Sequence, residues 1–581
     1  MIRNLRVSDF KSNDHQIEQF FPITHWLKDY TRRDFDGDIF AGIITAILLV
    51  PQGIAYAILA GLPPQMGLYA SILPTATYAL LGTSSTLSVG PVSIAAIMIA
   101  GALGTPEAVA LGEPAQSALI LAVECGFIML IMAALKMGSL VNFISHPVLT
   151  GFTSGAALLI ITSQLPQLAG LRKPPCGFDA TCYVDYLNEI NHATLILSLS
   201  TLLLLFFFGK PLSALLKKAQ VPLTLVTAVS KCGPLLAVML GTLIVTQFEL
   251  QTAHGVAVVG KIPSGFPSLS FSFLSIEKWQ VLLPSATFIA LIAYVETVAI
   301  AKVTANLRGE KINPNQELIA LGAANIVTAI SGGMAVAGGF SRTMVNFSAG
   351  ARTQMAMLIA ASILAGAVSL FSSWFENIPN GVLSAIIIMA VFRLVRIRHI
   401  VHTYNYDTGD GVAELATLIG VLVLGIERGI TLGIILTLVS QIRKNSQPHI
   451  AVVGRVPHTE HYRNIKRHSV ETWHHLLLIR IDENLTFANI NYVEDYLSDE
   501  LNRQPNIKHI VLIFTSVSDI DTTALEALEA LNQSLKTSGK TLNISEAKGP
   551  VLDKLGKTDF LEAIKPGKVF FRTEDAAKEL G

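Results

Sequence analysis

The sequence predicts a multi-pass α-helical membrane protein followed by a soluble α/β domain. Two observations carry this. The first is composition: of 581 residues, 51 % are hydrophobic and 14 % charged, where a soluble chain carries ~25 % charge. A soluble fold of this size could not cover so much apolar surface, and a disordered chain needs the opposite balance. The second is the placement of charge. Residues 1–38 hold 13 charges, residues 39–446 hold 36 (about 9 %), and residues 447–581 hold 35 (about 26 %). The expected organisation is a cytoplasmic N-terminal segment (1–38), a transmembrane domain (39–446) and a cytoplasmic α/β domain (447–581). Basic and acidic residues balance at 42 each, so nucleic acid is not an expected partner.

Fourteen segments can be drawn as spans: 39–60, 66–82, 86–103, 117–135, 143–165, 193–208, 231–248, 280–302, 315–331, 340–350, 355–375, 380–394, 411–425 and 429–443. A plain span needs ~20 apolar residues, and several of these are too short or too broken. Pro51 interrupts the first; the third and tenth are short and glycine-rich. The polar start, MIRNLRVSDFKSNDHQ, has no apolar core of a cleavable signal. An even span count puts both termini on one side. With the N-terminus inside, inner loops carry fourteen Lys and Arg and outer loops five. The positive-inside rule then places both termini in the cytoplasm of a plasma (inner) membrane protein. Cys176 and Cys182 fall in an outer loop, six residues apart, as a disulfide or as two free thiols. Cys125 and Cys232 read as buried small apolar residues. No spacing of Cys and His suggests a metal.

Broken helices at membrane depth are tolerated only inside protein or beside water. A matched pair of them in two halves of a chain points to a transport site. Here the pair is Thr86-Leu-Ser-Val-Gly-Pro-Val-Ser93 and Ala337-Gly-Gly-Phe-Ser-Arg-Thr343. Two half-helix N-termini facing each other offer free N–H groups and two positive dipole ends, which suits an anion. The competing reading is close helix packing through glycine. Arg342 within the second segment costs at least ~2.5–3.5 kcal/mol to insert, so it faces a cavity or partner, or snorkels to the interface. Glu296, mid-span in FIALIAYVETVAIA, is a candidate proton-coupling carboxyl, or a structural acceptor for Arg342 or helix ends. Gln52 and Tyr56 share one face after Pro51 and would line a cavity or mark a kink. Glu124 reads as a scaffold contact; Glu317 and Glu414 read as solvated span ends.

These residues carry a resemblance. VPQGIAYAILAGLPPQMGLYASILP (50–74), STLSVGPVSIAA (85–96), NQELIALGAANI (315–326) and GGFSRTMVNFSAGARTQ (338–354) resemble the sulfate permease (SulP) family of anion transporters with a C-terminal STAS domain. The resemblance implies inverted repeats of seven spans (about 39–249 and 280–446), broken third and tenth helices, an elevator-like core domain moving against a gate domain, and a homodimer. It implies anion binding by Gln52, Tyr56, Gly90, Pro91, Val92, Ser93, Gly339, Phe340, Ser341 and Arg342, with Glu296 at the coupling position. Ile300, one turn after Glu296, cannot ligate sodium, which favours protons. Met66 stands where the family commonly has tyrosine, without a consequence for substrate. The expected function is proton-coupled transport of a small inorganic anion, sulfate first. A C4-dicarboxylate or bicarbonate carrier, a passive anion channel and a membrane sensor with STAS output are the alternatives. No cofactor and no enzyme activity are expected.

In the tail, HLLLIRI (475–481) and HIVLIFT (509–515) read as central strands and LNIS (542–545) as a third. Tyr492–Leu501 and Thr522–Leu535 read as amphipathic helices. Asp521 is a candidate N-cap. Thr522 and Thr523 match the turn whose hydroxyl is phosphorylated in soluble STAS relatives, although capping alone explains them. The STAS domain is also a candidate surface for a cytoplasmic protein. Gly556-Lys557-Thr558 lacks the earlier glycine of a phosphate loop.

Overall fold

The computed structural model describes residues 21–142, 145–171, 189–221, 232–261 and 276–581, with residues 226, 229, 230, 265, 269 and 271–274 between them. Cys176 and Cys182 lie outside the described residues. The chain divides into two compact units at Ile434 and Ile435.

The first unit is helical. Its principal elements are α1 (Arg32–Leu59), α2 (Leu73–Leu81), β1 (Val89–Gly90), α3 (Ser93–Leu103), α4 (Pro114–Ala134), α5 (His146–Leu168), α6 (His192–Phe208) and α7 (Gly233–Gln247). Then follow α8 (Ile276–Arg308), α9 (Pro314–Ile330), β2 (Ala337–Gly338), α10 (Phe340–Ser348), α11 (Met355–Glu376), α12 (Asn380–Val391) and α13 (Thr408–Leu424), and α14 (Ile426–Ser446) runs across the boundary at Ile434. Among the described residues, seven helices are long and apolar enough to cross a bilayer. α3 and α10 are short because each starts from a strand residue inside the bundle. Local chemistry fixes the ends: Thr31 and Asp34 form a capping box at α1, and Asn313 caps α9 before Pro314.

The packing follows a two-fold pattern. α1 packs on α11 as α8 packs on α4, and α12 packs on α6 as α5 packs on α13. Each partner is shifted by seven helices, so the two halves repeat one arrangement. α1–α4 with α8–α11 form one group, and α5–α7 with α12 and α13 the other; Gly429 of α14 lies against Val421 of α13. Small residues set the seams. A Cβ on Gly126 of α4 would lie 2.8 Å from the Gly322 carbonyl of α9, so only glycine allows this approach.

Two acids differ from expectation. Glu317 and Glu414 are fully buried, not solvated span ends. Glu317 accepts from the Tyr78 hydroxyl (2.6 Å) and from Thr83 N (2.8 Å), which staples the end of α2 to the start of α9. Glu414 is 2.9 Å from His399 Nδ1. A neighbouring helix end folds over each carboxyl, which position along a span does not reveal. Cys125 is buried but Cys232 is only half-buried. Glu124 is buried in α4, and neither of its carboxyl oxygens has a hydrogen-bond partner.

The second unit is a six-stranded sheet in the order β4-β3-β5-β6-β7-β8. The strands are β3 (Ile450–Arg455), β4 (Tyr462–Asn464), β5 (Leu476–Ile481), β6 (His509–Ile513), β7 (Thr541–Ser545) and β8 (Val569–Phe570). β5 to β8 run parallel, and β3 is antiparallel to both its neighbours. α15 (Ile490–Arg503) and α16 (Thr522–Thr537) cover the face of Leu477, Ile479, Ile510 and Leu512. α17 (Thr573–Leu580) covers Leu476, Leu478, Val511 and Ile513. Burial on both faces is why these strands read as unbroken apolar runs.

Candidate functional site

The two broken segments meet. β1 and β2 pair antiparallel, with Val89 opposite Gly338 and Gly90 opposite Ala337. Directly after this two-residue ladder, α3 begins beyond Val92 and α10 beyond Gly339, so the two helix starts come together inside the bundle. Neither start has a side-chain cap. Their first-turn N–H groups therefore lack the partner that Ser, Thr, Asp or Asn supplies at most helix starts.

Polar side chains from other helices hold the ladder. Thr297 of α8 accepts from Gly338 N (2.8 Å). Thr343 of α10 accepts from Ser88 N (3.0 Å), and Gly339 N donates to the Ser88 carbonyl (2.9 Å). Asn325 of α9 grips Val336 at both ends: its Oδ1 accepts from Val336 N (2.9 Å) and its Nδ2 donates to Val336 O (3.0 Å). Asn346 Nδ2 donates to the Thr86 carbonyl (2.9 Å), and Gln354 Nε2 donates to the carbonyls of Ser84 and Leu87. Each bond satisfies backbone that would otherwise be costly in hydrocarbon.

Arg342 is buried at this junction. Its Nη1 donates to the Pro91 carbonyl (2.7 Å) and to Gln52 Oε1 (3.3 Å), and its Nε to Ser88 Oγ (3.4 Å). Its Nη2 is buried with no protein partner. That atom lies against the two glycines: a Cβ would come within 3.3 Å of it at Gly90 and 2.8 Å at Gly339. The glycines thus leave room for the guanidinium between the half-helices. A fixed cation with an open N–H group, beside two uncapped helix starts, has the chemistry that favours an anion.

Gln52 and Tyr56 of α1 are buried at the same place, and Gly90, Pro91, Val92 and Gly339 are buried with them. Ser93 is half-buried; Phe340 and Ser341 are exposed on the first turn of α10. Glu296 lies next to Thr297, is half-buried, and has one carboxyl oxygen buried without a partner. No ion pair joins Glu296 to Arg342, although each feels the other's charge. The structure therefore brings Gln52, Gly90, Pro91 and Gly339 against the Arg342 guanidinium, whereas the exposed Phe340 and Ser341 side chains do not join that buried cluster. The sequence reading missed Ser88, Thr297, Asn325, Thr343, Asn346 and Gln354. Each is a polar residue within or beside an apolar helix, a weak signal because such residues have many structural uses. Thr522 and Thr523 are exposed at the start of α16, where Asp521 accepts from Ala524 N (2.9 Å).

Residues 35–417 match the sulfate permease family, and residues 467–577 match the STAS domain. The chain belongs to the sulfate permease family. The permease is 32 % identical over 592 residues to the chloroplastic sulfate transporter 4.1 of Arabidopsis thaliana, covering 99 % of this chain and 84 % of the relative. It is 31 % identical over 555 residues to a probable sulfate transporter of Mycobacterium tuberculosis, covering 95 % and 96 %. Its fold is similar to that of SLC26A9, with a TM-score of 0.86 at 20 % identity, over 98 % of this chain and 94 % of that one. It is also similar to the transmembrane domain of the cyanobacterial bicarbonate transporter BicA, with a TM-score of 0.58 at 21 % identity, over 69 % and 98 %. The permease is thus a multi-pass membrane transporter, not an enzyme.

Proposed function

We propose that this chain is a secondary active carrier of a small inorganic anion, sulfate, coupled to protons. The observation that carries the reading is the buried Arg342, with its Nη2 unpartnered between two uncapped half-helix starts. The relatives named as sulfate transporters support sulfate over bicarbonate. Sulfate brings two negative charges, and Arg342 offsets one. An ionised Glu296 near the site would repel the anion; a proton on that carboxyl removes the repulsion. Binding of anion and proton then favour each other, which is the thermodynamic content of coupling.

Every side chain of the site belongs to the group α1–α4 with α8–α11. This supports an elevator-like movement of that group, as the core, against the gate group of α5–α7 with α12 and α13. The positive-inside count supports both termini in the cytoplasm, with the chain in the plasma (inner) membrane. We further propose fourteen spans, a homodimer, a STAS domain that binds a cytoplasmic protein, and Thr522 or Thr523 as its phosphorylation site.

The test is uptake of labelled sulfate into proteoliposomes. An inward proton gradient should drive accumulation, and unlabelled bicarbonate or a C4-dicarboxylate should compete weakly. Conductance without gradient-driven accumulation would make the protein a channel. Binding without net flux would make it a sensor.

A further inference from the structure

The C-terminal unit holds a second, separate concentration of positive charge. Residues 447–581 are acidic overall, with 16 Lys and Arg against 19 Asp and Glu. Yet one cleft of about 400 Å³ is lined by His449, Arg463, Asn464, Arg467, His468 and Arg480, with no carboxylate on its wall. The sheet topology assembles it. β3 lies between β4 and β5, pairing Gly454 with Arg463 on one side and Ala451 with Arg480 on the other. His449 immediately precedes β3.

The cleft is held in shape by its own bonds. Asp482 accepts from Arg480 Nε (2.6 Å) and Nη2 (3.0 Å) and lies 2.7 Å from His449 Nδ1. Asn464 fixes the turn after β4: its Oδ1 accepts from Lys466 N (2.8 Å), and its carbonyl accepts from Arg467 N (3.0 Å) and His468 N (3.1 Å). The Arg463 and Arg467 guanidinium groups have no carboxylate partner among the described residues, because the ion pairs of this unit fall elsewhere. One acid against three arginines leaves an excess of two positive charges before either histidine is protonated.

We propose that this cleft binds a phosphate-bearing ligand. Guanidinium forks match phosphate oxygens in geometry as well as charge, and the two open ones, Arg463 on β4 and Arg467 on the turn after it, with Arg480 beside them already engaged by Asp482, suit a phosphate better than a single carboxylate. The volume takes one phosphorylated small molecule or one lipid headgroup. The assignment goes beyond the transport reading and does not rest on it.

The experiment titrates inorganic pyrophosphate into the full chain in phosphatidylcholine nanodiscs, read by calorimetry. Wild type should bind saturably, and Arg463→Ala with Arg467→Ala should weaken binding at least ~10-fold, with partial retention in the corresponding double lysine variant. Nanodiscs containing phosphatidic acid separate the two sources. A fall in pyrophosphate affinity there, in wild type and not in the alanine variant, assigns the cleft to a lipid headgroup; unchanged affinity assigns it to a soluble phosphate ligand. Equal pyrophosphate binding by wild type and the alanine variant, or no saturable binding in either disc, overturns the proposal. Retained sulfate uptake by the alanine variant shows that it is folded. Absent uptake in wild type with pyrophosphate binding intact would overturn the transport reading alone.

Discussion

Arg342 does two jobs with one side chain. Three of its contacts reach α1 and the approach to α3, and the remaining nitrogen stays open. A lysine in its place keeps the charge but cannot make these bonds together. Arg342→Lys should therefore raise the KM for sulfate by at least ~10-fold, about 1.4 kcal/mol. Uptake at graded sulfate in proteoliposomes reads this directly, and an unchanged KM would remove Arg342 from the site. Glu296 makes the opposite kind of prediction. Glu296→Gln should abolish stimulation by an inward proton gradient while sulfate-for-sulfate exchange continues. Gradient-driven accumulation at the wild-type level would withdraw the carboxyl from coupling. The arginine and the carboxyl were both legible in the sequence because charge is so scarce between residues 39 and 446. Thr297 and Asn325 were not: a threonine or an asparagine in a span has many structural uses, and only the fold shows which backbone it meets.

The broken helices are set by their supports as much as by their own glycines. Asn325 of α9 closes a two-bond clamp on Val336, just before β2. Removing it leaves a backbone N–H and C=O unpaired in a low-dielectric interior, at ~1–3 kcal/mol for each group. Asn325→Ala should lower the Tm of the detergent-solubilised protein and weaken sulfate binding together. A lower Tm with normal sulfate affinity would mean that the clamp stabilises the bundle without shaping the site. The sequence marked where the helices break, from their glycines and shortness. It did not mark the strand pairing between them, because two residues per strand are too few to show alternation. For the same reason β4 and β8 escaped the reading of the tail, whereas β5 and β6 stood out as apolar runs. Glu317 was misread because its partner Tyr78 is distant in sequence, and Glu414 because the helix that carries His399 folds back over it.

At the scale of the molecule, the charge contrast along the chain corresponds to two compact units with different chemistry. The C-terminal unit keeps its stability in a pH-dependent form. Burial alone would raise the Asp482 carboxyl, but hydrogen bonds from Arg480 and His449 hold it below its ordinary value. Glu546 is likewise held low, against burial, by bonds from Thr515 and Thr573. A carboxyl depressed in the folded state adds stability above its unfolded pKa of ~4 and loses it as pH falls through the folded value. The thermal transition of this unit should fall on acidification below about pH 4, and Asp482→Asn should flatten that slope, as followed by calorimetry on the full chain. An equally steep acid slope in the variant would exclude this carboxyl as a contributor. The ladder between β1 and β2 has a further consequence, for biogenesis. Val89 pairs with Gly338, and the 249 residues from Gly90 through Gly338 must be made before the bond can form. At ~5–20 residues per second of synthesis, that is a wait of roughly 12–50 s. During this time the first half-helix stands without its partner strand, so the ladder groups of its broken segment stay unpaired until the second half arrives.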